Sequence, residues 1–134
     1  MTVHTQVRPF LMFEGKAEEA MNFYVSLFPG GEIREMVRYG FGQPGAEGSV
    51  MRAEFTIGGL SILCIDSVVH HGFTFTPAMS LFVDCESEAE VRRLSAVLSE
   101  GGNVLMPLDG YGFSRLFAWV SDRFGVSWQL NLAN

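Results

Sequence analysis

The sequence predicts an α+β fold, built from two successive β-α-β-β-β modules in a single domain spanning residues 1–134. Three observations predict it. A short apolar run followed by an acidic, helix-favouring segment and a Gly pair occurs twice, ending at Gly30-Gly31 and again at Gly101-Gly102. Each pair is followed by one strand-like run. Two more such runs come next, joined by a tight turn. Module 1 covers about residues 7–66, module 2 about 78–132, and a linker of about 67–77 joins them.

In module 1, Phe10 to Phe13 reads as the first strand. Ala20, Phe23, Tyr24, Leu27 and Phe28 then recur at helical spacing, and Pro29-Gly30-Gly31 stops the helix. Glu32 to Arg38 is the next strand, and the small-residue stretch from Gly40 to Ser49 is a loop. Val50 to Ile57 turns at Gly58-Gly59 into Leu60 to Asp66, a strong hairpin signal. In module 2, Ala78 to Val83 is the first strand. Ser87 and Glu90 have the spacing of a capping box, and Val91, Leu94 and Leu98 continue the helix. Asn103 to Leu108 is a strand, Asp109 to Phe113 a loop, and Leu116 to Ser121 turns through Asp122 to Gly125 into Val126 to Leu132. Each helix covers one sheet face, so the other face needs a second module or a second chain.

Composition excludes several functions. The chain carries nine Lys plus Arg against fifteen acidic residues, a net charge of −6, and so lacks the basic footprint of a nucleic-acid binder or of a protein that docks on anionic membranes. No apolar run approaches the ~20 residues of a membrane span. Met1 to Phe10 contains Arg8 and Pro9 and no continuous apolar core, so a signal peptide is not expected and the cytoplasm is the expected compartment. Cys64 and Cys85 lie in apolar runs and read as buried, reduced thiols.

Several runs, taken in order, carry a family resemblance. They are Pro9-Phe10-Leu11-Met12-Phe13 with Ala17-Glu18-Glu19-Ala20 and Phe23-Tyr24; Phe28-Pro29-Gly30-Gly31; Phe75-Thr76-Pro77; Asp109-Gly110-Tyr111-Gly112-Phe113-Ser114; and the stretch from Trp119 to Leu130. On these the chain resembles the vicinal oxygen chelate superfamily (glyoxalase/bleomycin resistance protein/dioxygenase), and within it the PhnB-like, demethylubiquinone methyltransferase-like branch. The resemblance implies curved mixed sheets around an open cup with helices outside, and a homodimer. It also implies four inward-facing His or Glu metal ligands in metal-using relatives. Matching motifs puts those positions at Pro9, at Leu63 or Cys64, at Ala78 or Ser80, and at Gln129. Such a set cannot hold a divalent ion, so neither a metal nor another cofactor is expected. Other possible donors are His4, His70, His71, Glu54, Asp66 and Asp84.

Period-two alternation puts Ser127, Gln129 and Asn131 on one face of the last strand, and Val126, Trp128, Leu130 and Leu132 on the other. The same reasoning assigns Pro9, Leu11 and Phe13, and Ala78, Ser80 and Phe82, to the cup. The expected pocket is therefore Leu11, Phe13, Leu63, Ser80, Phe82, Tyr111 and Gln129, although the same residues also suit a filled core. Tyr111, between two glycines, suits a mobile loop at a pocket mouth or a ring packed over a turn. His70-His71 suits an exposed loop or a lid. Glu54 reads as a surface partner of Arg52 rather than a catalytic acid. The leading expectation is a protein that binds a small apolar or aromatic molecule without metal. The alternatives are a metal-dependent lyase, isomerase or dioxygenase, and a methyltransferase. Against the last, no Gly-rich turn joins a strand to a helix.

Overall fold

The computed structural model describes residues 4–134. Residues 1–3, which begin the stretch read for a signal peptide, lie outside the described residues. The chain divides into two compact units, the first ending at His71 and the second beginning at Gly72. Unit 1 contains β1 (Phe10–Phe13), α1 (Ala17–Leu27), β2 (Glu32–Arg38), β3 (Val50–Ile57) and β4 (Leu60–Asp66). Unit 2 contains β5 (Ser80–Asp84), α2 (Glu88–Ser99), β6 (Asn103–Tyr111), β7 (Ser114–Ser121) and β8 (Ser127–Leu132). The sheets have the same order, β1-β4-β3-β2 and β5-β8-β7-β6. In each, the first strand pairs in parallel with the last and the other pairs are antiparallel. The α+β class with two mixed four-stranded sheets is thus present.

One face of each sheet carries the core. In unit 1, Ala53, Phe55, Ile62 and Cys64 are fully or almost fully buried, and Tyr24 of α1 stacks on Phe55 with ring centroids 5.8–6.0 Å from its aromatic neighbours Phe23 and Phe55. In unit 2, Leu116, Ala118, Val120, Trp128 and Leu130 form the equivalent surface, matched by Val91, Leu94 and Leu98 of α2. The alternation read from the last strand is borne out: Trp128 and Leu130 are buried, while Gln129 and Asn131 are partly exposed.

Two buried aspartates brace the units. Asp66 Oδ1 accepts from the N–H groups of Gly15 (2.8 Å) and Ala17 (3.0 Å), and Oδ2 accepts from Val50 N–H (2.9 Å). One side chain therefore ties the start of α1 and the start of β3 to the end of β4. It supplies the capping that Lys16, the residue before α1, does not. In unit 2 the cap is local: Ser87 Oγ accepts from Glu90 N–H at 3.1 Å, and Glu90 accepts from Glu86 N–H at 2.9 Å. Its buried aspartate, Asp122, instead organises the β7–β8 turn. It accepts from Phe124 N–H, Val126 N–H and the Trp128 indole N–H at 2.9–3.0 Å.

The helix stops repeat closely. Gly30 and Gly101 both have φ +75°, a left-handed conformation that glycine adopts without strain. Next to the second, a Cβ on Gly102 would lie 2.0 Å from the Ser121 carbonyl oxygen, so that residue must be glycine for lack of space.

Several strand boundaries in unit 2 differ from expectation, among them the start of β7 at Ser114 rather than Leu116 and of β8 at Ser127 rather than Val126. The segment from Asp109 to Tyr111 is strand rather than loop, because β6 pairs irregularly with β7 as far as Tyr111↔Ser114, and only Gly112 and Phe113 turn. β5 begins at Ser80; Ala78 lies in the preceding turn, where Met79 N–H points to the Thr76 carbonyl.

Candidate functional site

The sheet face opposite each helix is the open face, and strand register decides what stands on it. In unit 1, Leu11 pairs with Cys64, which pairs with Ala53 on the core face; Phe13 pairs with the buried Asp66. Leu11 (8% exposed) and Phe13 (4%) are therefore core residues under α1. This corrects the cup assignment made for them. The run Pro9 to Phe13 is apolar on both faces, so alternation alone could not choose between them. The open face carries Phe10 and Met12 instead, beside Leu63 and Ile65.

Leu63 does lie on the open face, between Phe10 on β1 and Glu54 on β3. The choice between Leu63 and Cys64 falls to Leu63, since Cys64 is fully buried on the other face. Glu54 accepts from Ser61 Oγ (2.5 Å) and from Arg8 Nη1 (3.5 Å), while Arg52 pairs across the strands with Glu35 at 2.6 Å. Its partner is thus Arg8, not Arg52.

In unit 2, register puts Ser80, Phe82 and Asp84 opposite Ser127, Gln129 and Asn131, and these in turn opposite Ser121, Trp119 and Phe117. Ser80, Phe82 and Gln129, all expected site residues, share the open face. Trp119, absent from the expected site residues, joins the row only through its register with Gln129 of β8. The Trp119 indole N–H donates to Ser127 Oγ at 2.8 Å. Ser127 Oγ lies 2.6 Å from Ser80 Oγ, and Gln129 Nε2 donates to Ser80 Oγ at 3.3 Å. Further along, Asn131 Nδ2 donates to Asp84 Oδ1 at 3.1 Å, and Ser114 Oγ lies 2.5 Å from Asn131 Oδ1. Phe82 is 56% exposed. The result is a strip of neutral donors and acceptors flanked by aromatic rings, with one carboxylate at its end.

Tyr111 stands over the adjoining part of this sheet. Its ring stacks on Phe113 and meets Phe117 edge-on at 5.9 Å, and its hydroxyl donates to the Pro107 carbonyl at 2.7 Å. Of its two readings, the geometry matches the ring packed over a turn. His70 Nδ1 lies 2.8 Å from Glu14, and His71 Nε2 lies 3.1 Å from Ser67 Oγ. The hydrogen bond from His70 holds the Glu14 carboxyl below its ordinary value.

The donor chemistry can be tested against a metal. Leu63, Ser80 and Gln129 offer no charged ligand atom. Among the described residues, no group of three or more His, Cys, Asp or Glu is placed to hold a metal ion. Burial pushes the thiol of Cys64 up to about 12 and that of Cys85 to about 11, far from thiolate chemistry at neutral pH. The residues present do not fit a divalent cation. Nor do the turns before the helices, Glu14-Gly15-Lys16 and Cys85-Glu86-Ser87, resemble a Gly-rich cradle for S-adenosylmethionine. Among the described residues, no helix is long and apolar enough to cross a membrane.

A paired β-α-β-β-β plan with open sheet faces is the architecture of the glyoxalase/bleomycin resistance protein/dioxygenase class. Such a domain from Frankia sp. EAN1pec superposes with a TM-score of 0.64 at 13% identity, covering 99% of this chain and 94% of that one, a likeness of fold alone. The chain belongs to the PhnB-like family whose model is described as 3-demethylubiquinone-9 3-methyltransferase, which matches residues 5–131. A Bacillus cereus PhnB protein, described as a 3-demethylubiquinone-9 3-methyltransferase, is 55% identical with a TM-score of 0.94, over 96% of this chain and all of its own. A Pseudomonas aeruginosa protein is 30% identical with a TM-score of 0.82, over 97% of this chain and 98% of its own. No curated protein matches the chain.

Proposed function

We propose that this chain is a homodimeric binding protein that takes a small, neutral, partly aromatic molecule on the open face of its second sheet, without a metal. One observation carries the reading. Gln129 stands between Phe82 and Trp119 in strand register, and hydroxyl groups rather than charges surround it. Exposed aromatic surface with a few convergent polar groups is how small-molecule sites are built. Dimer formation follows from the half-covered sheets, because one helix shields only one face of each.

The test is titration of isotope-labelled protein with neutral aromatic fragments and with aliphatic carboxylates. The expected result is movement of the Trp119 indole N–H and Gln129 amide resonances by the aromatics only. If carboxylates move them instead, or if no fragment does, the reading fails. Light scattering at micromolar concentration should give twice the chain mass; a clean monomer would remove the dimer. Elemental analysis of protein purified without chelator tests the metal-dependent alternative, a lyase, isomerase or dioxygenase, which near one equivalent of zinc, nickel, iron or manganese would favour. A methyltransferase, the activity in the descriptions of the family model and of the Bacillus cereus relative, requires measurable S-adenosylmethionine binding by calorimetry.

A further inference from the structure

Resting on that reading, we propose that Ser80 and Gln129 act as a donor–acceptor pair that selects a planar ring carrying a carbonyl next to an N–H or O–H group. The inference comes from proton accounting along the hydroxyl chain. An indole N–H can only donate, so Ser127 Oγ accepts from Trp119. Ser127 is 2% exposed, and its own proton must also find an acceptor, because a buried unsatisfied donor is costly. Ser80 Oγ, 2.6 Å away, is the acceptor at hand. Ser80 accepts a second hydrogen bond from Gln129 Nε2.

Both lone pairs of the Ser80 oxygen are then engaged, and its proton points away from the chain of bonds. A hydroxyl that accepts in this way is a better donor than an isolated one, because each bond polarises the next. Gln129 places its Nε2 on Ser80, which leaves its Oε1 as an acceptor on the same face of the sheet. Ser80 and Gln129 both stand partly exposed on the open face. The fixed pair thus presents one donor and one acceptor side by side. Phe82 and Trp119, the register neighbours of Gln129 on either side, supply flat surfaces for the ring that carries the complementary groups.

Three related probes, titrated into the full chain by calorimetry, separate the contributions. 2-Quinolone has adjacent carbonyl and N–H groups, N-methyl-2-quinolone keeps only the carbonyl, and quinoline has neither. The expected order is 2-quinolone tighter than its N-methyl derivative by about tenfold, the worth of one oriented hydrogen bond. Gln129→Leu should remove that margin, Ser80→Ala should weaken both quinolones relative to quinoline, and Phe82→Ala should weaken all three probes alike. The comparison of probes on the unaltered chain stands even if a variant folds poorly. Equal affinity for the two quinolones overturns the donor–acceptor pair while leaving small-molecule binding intact. Failure of all three probes to bind at millimolar concentration overturns the binding reading as well.

Discussion

On the open face of the first sheet, one row across the strands reads Glu54, Leu63, Phe10; the corresponding row of the second reads Trp119, Gln129, Phe82. The scaffolds beneath share strand order, and their helices stop at glycines with the same φ. Yet the polar group has changed strand. In unit 1 a carboxylate on the third strand is held by Arg8 and Ser61, and the centre of the row is aliphatic. In unit 2 the third strand gives an aromatic ring, and the centre is an amide. The core face fixes the fold in both units, so the other face is free to diverge in chemistry.

The largest effects should come from the shared core. Phe55→Ala in unit 1 and Trp128→Ala in unit 2 should each cost about 3–5 kcal/mol, measured by urea unfolding. Because Trp119 and Trp128 are the only tryptophans and both lie in unit 2, their fluorescence reports on that unit specifically. Circular dichroism follows both. A Phe55→Ala chain whose fluorescence transition stays put while its circular dichroism transition splits would show that the units unfold separately.

The buried aspartates sharpen the contrast at the next level. Asp66→Ala and Asp122→Ala each leave three N–H donors without their carboxylate, at a cost of roughly 3 kcal/mol. Hydrogen exchange should then accelerate at Gly15, Ala17 and Val50 in the first variant, and at Phe124 and Val126 in the second. Exchange that accelerates equally everywhere would break the distinction.

Both thiols should resist alkylation at pH 8 until the chain unfolds, with Cys85 reacting before Cys64. Burial favours the neutral thiol in the folded state. Its contribution to stability is therefore complete below the ordinary thiol value of 9.0 and is lost as pH rises toward about 11 for Cys85 and about 12 for Cys64. Rapid labelling of native Cys64 would contradict its position under α1.

The smallest effect belongs to the exposed ion pair of Glu18 with Arg38. The Arg38 hydrogen bond lowers the Glu18 carboxyl from its ordinary 4.5, so whatever the pair contributes is present above that value and fades as pH falls through the lowered one. Glu18→Gln should hardly move the unfolding midpoint at neutral pH, since both side chains are more than a third exposed. Carbon-detected titration of Glu18 and of Glu88, which Arg92 lowers in the same way, checks the direction.

Much of the fold was legible because punctuation and periodicity agreed. The hairpin at Gly58-Gly59 and the two faces of the last strand could be read directly, although that strand begins at Ser127 rather than Val126. The site was legible in part. Ser80, Phe82 and Gln129 stand together because β5 and β8 each alternate clearly. Leu11 and Phe13 were misplaced because β1 is apolar on both sides and short, so its facing is set by pairing with β4 rather than by its own pattern. Trp119 could not be assigned without its partner Gln129. The roles of Asp66 and Asp122 depend on backbone groups far along the chain, which residue spacing does not reveal.

The parallel pairing of β1 with β4, and of β5 with β8, has a temporal consequence. A ribosome releases the opening strand of each unit well before the strand that completes its hydrogen bonding. Phe10 to Phe13 must stay unpaired until Leu63 to Asp66 emerges, and Ser80 to Asp84 until Ser127 to Asn131 has been made. The opening strand of the second unit thus waits on β8, and a message truncated before Ser127 would release a chain with an unzipped, adhesive edge.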